Sequence, residues 1–215
     1  MLEPVQLTER TRLRRLPERG SHEESALHAI LDAGFLAHVG FQMEGQPFVI
    51  PTLYGREDNT LYLHGSAASR MMKQLETGIP ACVTVTLVDG LVLARSAFHH
   101  SMNYRSVVAF GVARKIEGEE EKSRALRVIS DHLIKGRWEE VREPAPKELK
   151  GTTVLQFDID EASAKVRTGP PKDDKEDYEL DVWAGVIPMQ LVTGAPVPDG
   201  EQKRDVPGYI ATRQF

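Results

Sequence analysis

Short strand-like segments that follow one another with short connections constrain the fold of this chain most. Residues 36–43 and 47–54 alternate apolar and polar side chains around the turn Glu44-Gly45-Gln46, which predicts a β-hairpin. A third segment begins at Leu61 after another short turn, and neighbours joined in this way pair antiparallel. A series of six or more such strands avoids exposed edges by closing on itself. We therefore predict an α+β protein with a small closed or nearly closed barrel of mostly antiparallel strands and helices outside it.

The remaining elements follow from the same kinds of pattern. Further strands are predicted at 81–88 and 91–94, joined by an Asp89-Gly90 turn, and at 106–113, 152–159, 165–168 and 182–192. Helices are predicted from a Ser21/Glu24 capping box to Gly34, over 69–76, over 119–135 and as one turn at 148–150. A chain of 215 residues suits one core. We divide it into an N-terminal arm (1–20), one domain (21–193) and a C-terminal tail (194–215).

The junction that follows the strand at 61–64 has the composition of a phosphate site. Gly65 and Ser66 end the alternation, and the residues from Arg70 to Leu75 favour a helix. The free N–H groups of a helix start suit a phosphate, and hydroxyls and cations stand nearby on Ser66, Ser69, Arg70 and Lys73. The same residues are typical of ordinary capping and of a solvated first turn, so both interpretations stay open. The chain has no Walker motif and no Gly-x-Gly-x-x-Gly, which excludes the usual sequence signatures of a P-loop or Rossmann site.

A polar segment at 96–105 separates two strongly apolar strands and is a favourable place for a binding site. Its adjacent His99 and His100 point to opposite faces of an extended chain and rarely ligate one ion together. The chain also lacks Cys-x-x-Cys and His-x-x-x-His spacings, so we predict no metal site. Two roles stay open for one of these two histidines, and also for His64 beside the phosphate turn. Each of these side chains either lines a ligand pocket or has a hydrogen-bonded structural role.

Composition narrows the partners and the compartment. The net charge of −5 argues against a nucleic-acid-binding surface. The single cysteine, Cys82, lies within an apolar run and is expected to be a buried thiol. No apolar stretch is long enough to span a membrane, and charges stand where a signal peptide would be apolar. We therefore expect a cytoplasmic protein without a membrane partner.

Three segments together resemble the flavin-nucleotide-binding branch of the pyridoxamine 5′-phosphate oxidase-like family. They are Ile50-Pro51-Thr52-Leu53, then Leu61 to Ser66 followed by Ser69-Arg70, and Ser96 to Val107. The resemblance implies a split β-barrel that binds FMN at the interface of a homodimer. The cofactor-binding residues it implies, together with the neighbouring polar residues of the phosphate turn, are Pro51, Thr52, Leu53, His64, Ser66, Ser69, Arg70, Lys73, Asn103, Tyr104, Arg105 and Trp183.

The resemblance also assigns roles within this set. Residues 51–53 follow the edge of the isoalloxazine ring, and Ser69 and Arg70, with Lys73, form the phosphate turn. Residues 103–105 lie beside the flavin, often that of the partner subunit, and Trp183 belongs to a segment that closes over the cofactor.

The function implied by the resemblance is that of an FMN-dependent oxidoreductase acting on an unidentified small molecule. Pyridoxamine phosphate oxidases proper carry an Arg-x-His pair near the C-terminus, and no such pair follows Trp183, so vitamin B6 oxidation is not expected. Two alternatives stay open. One is a non-catalytic flavin carrier or redox sensor; the other is a haem-binding split barrel with His64, His99 or His100 as axial ligand.

Overall fold

The computed structural model describes residues 8–201 and 204–211. Within them the strands are β1 (Gly20–Ser21), β2 (Leu36–Met43), β3 (Gln46–Glu57), β4 (Thr60–Ser66), β5 (Pro80–Leu93), β6 (Ser101–Lys115), β7 (Thr152–Asp158), β8 (Glu161–Arg167) and β9 (Gly185–Pro188). The helices are α1 (Glu24–Ala33), α2 (Arg70–Leu75), α3 (Glu119–Leu133), α4 (Pro146–Gly151) and α5 (Gly208–Ala211). None of these helices is both long enough and apolar enough to cross a membrane.

Six of the strands close into a barrel in the order β2-β3-β4-β7-β6-β5, and β5 returns to β2. Every pairing is antiparallel. The barrel splits at β6, because its residues 104–110 pair with β8 whereas its residues 113–115 pair with β7. The predicted α+β class and the mostly antiparallel split barrel with peripheral helices are therefore confirmed.

The core lies inside this barrel, where the inward-facing residues of each strand alternate with outward-facing ones. Its largest fully buried side chains include Tyr54, Leu61, Leu63, Met72, Leu75, Leu155 and Phe157, together with Leu27 and Leu31 of α1. Helix α3 packs on the outside of β4, where Ala125 and Ile129 meet Tyr62 and Val154. The core thus fixes the direction of β4, the strand that leads into the predicted phosphate turn.

The first predicted hairpin is confirmed, and the second is wrong. Glu44 and Gly45 both have positive φ, 50° and 77°, as a tight hairpin turn between β2 and β3 requires. At Asp89-Gly90, in contrast, the chain does not reverse. Strand β5 continues from Pro80 to Leu93 along β6, and the pairing register shifts between Val88 and Gly90. The pairing with β6 on both sides of these residues turns them into a β-bulge.

Two other boundaries differ from prediction. Ser21 pairs with Ala164 in β1, and its hydroxyl accepts from the Glu23 N–H, so Glu23 and not Ser21 precedes the first turn of α1. In the segment 182–192 only β9 is a strand, because β5 offers it a pairing edge only from Gly90 to Leu93.

The described part of the N-terminal arm lies on β8 and β6. Thr8 and Arg10 both donate hydrogen bonds to Glu161, and the Arg10 guanidinium lies 4.9 Å from the centre of the Phe110 ring. Residues 1–7, 202–203 and 212–215 lie outside the described residues. The division of the chain into arm, domain and tail stays a prediction.

Candidate functional site

The turn between β4 and α2 is held in place by its own backbone. The Ser69 N–H donates to the Ser66 carbonyl at 2.8 Å, and the Ala68 N–H donates to the Ser66 hydroxyl at 3.2 Å. The Ala67 N–H donates to the Gly151 carbonyl at 3.0 Å, which ties the turn to the end of α4. Because these bonds need no ligand, the turn is preformed.

The polar side chains of this turn are available to a ligand. Ser69 is the N-cap of α2, yet its hydroxyl makes no capping hydrogen bond. The Arg70 guanidinium lies 5.3 Å from the centre of the Phe48 ring, and both Arg70 and Lys73 are exposed. In the described part of the chain, no carboxylate lies within 4 Å of either cation. The turn therefore presents a hydroxyl and two cations, the groups that bind phosphate.

Phe48 connects this turn with residues 51–53 on the same strand, β3. Pro51 and Leu53 are exposed, whereas Thr52 is half-buried and its hydroxyl donates to the Leu53 carbonyl at 3.3 Å. At a rise of about 3.3 Å per residue, Thr52 lies about 13 Å along β3 from Phe48. The structure therefore places residues 51–53 on the strand whose Phe48 ring meets Arg70 of the phosphate turn.

A cavity of about 1110 Å³ opens near Leu53, at the end of residues 48–53 that is away from the phosphate turn. Its wall combines the end of α1 and the start of β2, residues 86–89 of β5, Arg105 of β6, Pro188 at the end of β9, and residues 189–193 after it. Leu36, which opposes Leu53 across the β2–β3 pair, belongs to this wall. A cavity of this size accommodates a large organic cofactor.

Arg105 enters the cavity already paired with Asp89. Its Nε and Nη2 donate to the two carboxylate oxygens of Asp89 at 3.0 Å and 2.8 Å. These hydrogen bonds raise the pKa of Arg105. The pair therefore contributes fixed polarity to the cavity but no net charge.

Asn103 is buried and its side-chain amide is used within the chain. Its Nδ2 donates to the Gly169 carbonyl at 3.2 Å, and its Oδ1 accepts from Arg167. Arg167 is only 6% exposed, and burial lowers its pKa. Its hydrogen-bond partners are the Asn103 side chain and the carbonyls of Gly169 and Pro170, with no carboxylate among the described residues. Sequence reasoning missed Arg167, because only the pairing of β6 with β8 places it opposite Tyr104.

The three histidines named from the sequence have different surroundings. The Nδ1 atom of His64 is buried and has no hydrogen-bond partner within the described residues, and burial lowers the pKa of this side chain. His100 Nδ1 accepts from the Ala94 N–H at 3.0 Å, and His99 Nε2 lies 3.2 Å from Asp174 Oδ2. Of these three histidines, His64 alone has no hydrogen bond to its ring within the described residues.

A family model for pyridoxamine 5′-phosphate oxidase matches residues 23–166. The chain belongs to the pyridoxamine 5′-phosphate oxidase family. No curated protein matches the sequence. Among solved structures, the flavocytochrome Anf3 from Azotobacter vinelandii is 44% identical, with a TM-score of 0.90 and coverage of 96% of this chain and 97% of that one. The FAD and haem binding protein from Mycobacterium smegmatis is 35% identical, with a TM-score of 0.85 and coverage of 89% of this chain and 95% of that one.

The match to the pyridoxamine 5′-phosphate oxidase family model ends before Trp183. This side chain is 65% exposed in the single chain and stands just before β9, away from the β4–α2 turn in the strand order. Residues 103–105 also lie on a strand that is not a neighbour of β4. The phosphate turn therefore contacts the strand that carries residues 51–53, whereas residues 103–105 and Trp183 lie on other parts of the fold.

Proposed function

We propose that this protein is a flavin-dependent oxidoreductase that also binds haem, that is, a flavocytochrome. The observation that carries the proposal is its similarity to the flavocytochrome Anf3, at 44% identity over nearly the whole of both chains. The M. smegmatis relative, which by its name binds FAD and haem, supports the same combination.

The β4–α2 turn supports the flavin part of the proposal. Every flavin nucleotide carries phosphate, and Ser69, Arg70 and Lys73 present the uncommitted groups that would hold it. The sequence predicts FMN, but the relative named for FAD favours the larger nucleotide. We therefore propose FAD. A bound flavin supplies one- and two-electron chemistry, while the chain's residues bind it, orient it and limit its contact with water.

His64 supports the haem part. A metal-ligating imidazole must be neutral, and burial favours the neutral form of His64 by lowering its pKa. The hydrogen bonding of its ring is incomplete within the described residues, as expected for a side chain that meets a bound group. His100 fits less well, because an Nδ1 that accepts the Ala94 N–H leaves the ring proton on Nε2. His99 Nε2 faces the Asp174 carboxylate at 3.2 Å, so the iron of a haem could reach this nitrogen only by displacing Asp174.

Exposed apolar side chains support a homodimer. Leu91 of β5 lies between Met102 of β6 and Ile187 of β9 in the strand register, and the three are 41–45% exposed. Met189, Leu191 and Val192 continue this apolar surface beside the cavity and are also exposed. Contiguous apolar surface of this kind marks an interaction site. We propose that a second copy covers it and that residues 103–105 and Trp183 reach the cofactor site of that second copy.

The cofactor part is tested on protein produced with haem and riboflavin supplied to the cells. We expect a visible spectrum with both flavin and haem bands, and chromatography of the released flavin should identify FAD. The variant His64→Ala should lose the haem band and keep the flavin, whereas His100→Ala should keep both. Haem retained by His64→Ala would overturn the ligand assignment, and protein that binds neither cofactor after reconstitution would overturn the proposal.

The catalytic part is tested by anaerobic mixing with nicotinamide donors, followed by oxygen. Bleaching of the flavin and its recovery on oxidation over many cycles would support the oxidoreductase. Retention of both cofactors without reduction by any donor would instead leave a carrier or redox sensor. Sedimentation of the loaded protein tests the dimer, and a monomer at micromolar concentration would contradict it.

A further inference from the structure

Three potential metal ligands, from two segments that are far apart in the sequence, meet on one surface. They are His99, in the short 3₁₀ turn before β6, and Asp174 and Asp177, at the start of a 3₁₀ turn after β8. One ligand atom from each lies within 4.8 Å of the other two. The histidine and Asp174 are 75 positions apart, so no sequence spacing could indicate this group.

The two segments are fixed to each other by a neighbouring carboxylate that takes no part in the group. Asp173, whose side chain is fully buried, accepts from the backbone N–H of Arg95 at 2.9 Å and from the Arg95 guanidinium at 3.1 Å. It also accepts from the Ser96 N–H at 3.4 Å. These charge-assisted hydrogen bonds hold the 96–100 and 173–177 segments together without a metal. The three ligands are therefore preorganised.

The His99 ring is also held in position. It stacks edge-on against Phe98, with 5.1 Å between the ring centres, and its side chain is 24% exposed. Its Nε2 atom faces Asp174 Oδ2 at 3.2 Å. The ring nitrogen therefore lies beside a carboxylate oxygen, which is a second potential metal ligand.

No lysine or arginine pairs with the two carboxylates in the part of the chain that the structure describes. Over residues 8–201 and 204–211, no Lys or Arg nitrogen lies within 4 Å of Asp174 or Asp177. The nearby Arg95 is occupied by Asp173 and stacks on the Tyr178 ring at 4.7 Å. Two carboxylates whose oxygens lie within 4.8 Å of each other repel, and a divalent cation bound between them would offset that repulsion.

We infer that His99, Asp174 and Asp177 form a binding site for a divalent transition metal of the zinc class. One imidazole nitrogen and two carboxylate oxygens are ligands that zinc accepts, and the exposed side of the group leaves further positions to water. Mg²⁺ and Ca²⁺ favour sites made only of oxygen ligands, so the imidazole selects against them. The group shares no residue with the proposed flavin and haem sites, and the inference differs from the sequence-based expectation of no metal.

The test is calorimetric titration of Zn²⁺ into the cofactor-loaded protein, from which any affinity tag has been removed. We expect one saturable site per chain with a Kd below about 0.1 mM, no comparable heat with Mg²⁺, and visible absorption bands when Co²⁺ replaces Zn²⁺. His99→Ala and Asp177→Asn should each weaken Zn²⁺ binding at least about tenfold. Asp181→Asn, an exposed acid in the same loop, is the matched control and should bind as the wild type does.

Two results would overturn the inference. The first is the absence of saturable Zn²⁺ binding by the wild type. The second is a site whose affinity is the same in His99→Ala, Asp177→Asn and wild type, which would put the metal elsewhere on the protein. Flavin and haem spectra of each variant establish that the fold is intact. A loss of Zn²⁺ binding is then due to the loss of the substituted ligand.

Discussion

Removal of the Arg70 side chain should weaken flavin binding strongly, because the β4–α2 turn is preformed and Arg70 has no ion pair in the described chain. A hydrogen bond to a charged group contributes about 1.5–3 kcal/mol. Its loss raises the Kd of the flavin about 10- to 160-fold. Arg70→Lys keeps the charge but loses the planar pair of donors, so its Kd should fall between those of wild type and Arg70→Ala.

The substitution should have little effect on the fold. Arg70 is exposed, and its contact with the Phe48 ring is worth about 0.5–1 kcal/mol at such a site. Thermal unfolding of the flavin-free variant should therefore resemble that of flavin-free wild type. Arg127→Ala is a matched control, because Arg127 is an exposed arginine of α3 whose partners are Asp131 and Glu139.

In the assay, flavin-free protein is titrated with FAD at two salt concentrations, and flavin fluorescence measures the binding. Wild-type affinity should fall with salt, and Arg70→Ala should show a smaller fall because one of the screened charges is gone. A Kd for Arg70→Ala within about twofold of wild type, with the fold intact, would refute the assignment of the turn to the phosphate.

Three further predictions concern stability. Gly111→Ala should lower the free energy of unfolding by about 1–3 kcal/mol or more, because a Cβ at this position would lie 2.1 Å from the Asp158 carbonyl oxygen. Gly40→Ala, whose Cβ would have no neighbour closer than 3.6 Å, should change it by less than about 0.5 kcal/mol, and equal effects in urea unfolding would contradict the close approach. Tyr54→Phe should cost about 1–3 kcal/mol, since the buried hydroxyl donates to the Leu31 carbonyl. Burial raises the pKa of Tyr54, so the wild type should lose stability as the pH rises above 10.0, and the loss should be smaller in Tyr54→Phe. Hydrogen bonds from Arg142 and from the Ala145 N–H lower the pKa of Glu148 to about 2. Glu148 therefore stabilises the fold above its usual pKa of 4.5 and loses this effect as the pH falls toward 2, so the melting temperatures of wild type and Glu148→Gln should converge in acid.

The parts of the fold that local chemistry decides could be predicted from the sequence. The β2–β3 hairpin depends on a two-residue turn, and α3 depends on its acidic first turn and apolar stripe. The junction of β4 and α2 is also local, because a glycine and small polar residues end a strand immediately before a helix. In each case, the residues that decide the structure are within a few positions of one another.

The parts that depend on distant residues could not be predicted in this way. Asp89-Gly90 has the composition of a hairpin turn, but β6 pairs with β5 on both sides of it, and a long ladder of hydrogen bonds outweighs local turn preference. The bond between Arg167 and Asn103 and the group around His99 likewise depend on chain segments 64 to 75 positions apart. For such contacts, the sequence shows which residue types are present, but it does not show which residues they contact in the fold.

The topology itself constrains how the cofactor site can be completed. The phosphate turn ends β4, whereas residues 103–105 begin the half of β6 that pairs with β5 and β8, and these regions are not neighbours in the sheet. Arg105 is paired with Asp89, and the amide of Asn103 is bonded to Arg167 and Gly169. Arg105 therefore lines the wall of the cavity and Asn103 holds Arg167, so neither side chain extends a free group to a flavin on the same chain. If they contact the cofactor, a second copy must bring its β6 to the first copy's turn, and the exposed apolar side chains Leu91, Met102 and Ile187, next to this part of β6, are the surface on which that copy would pack.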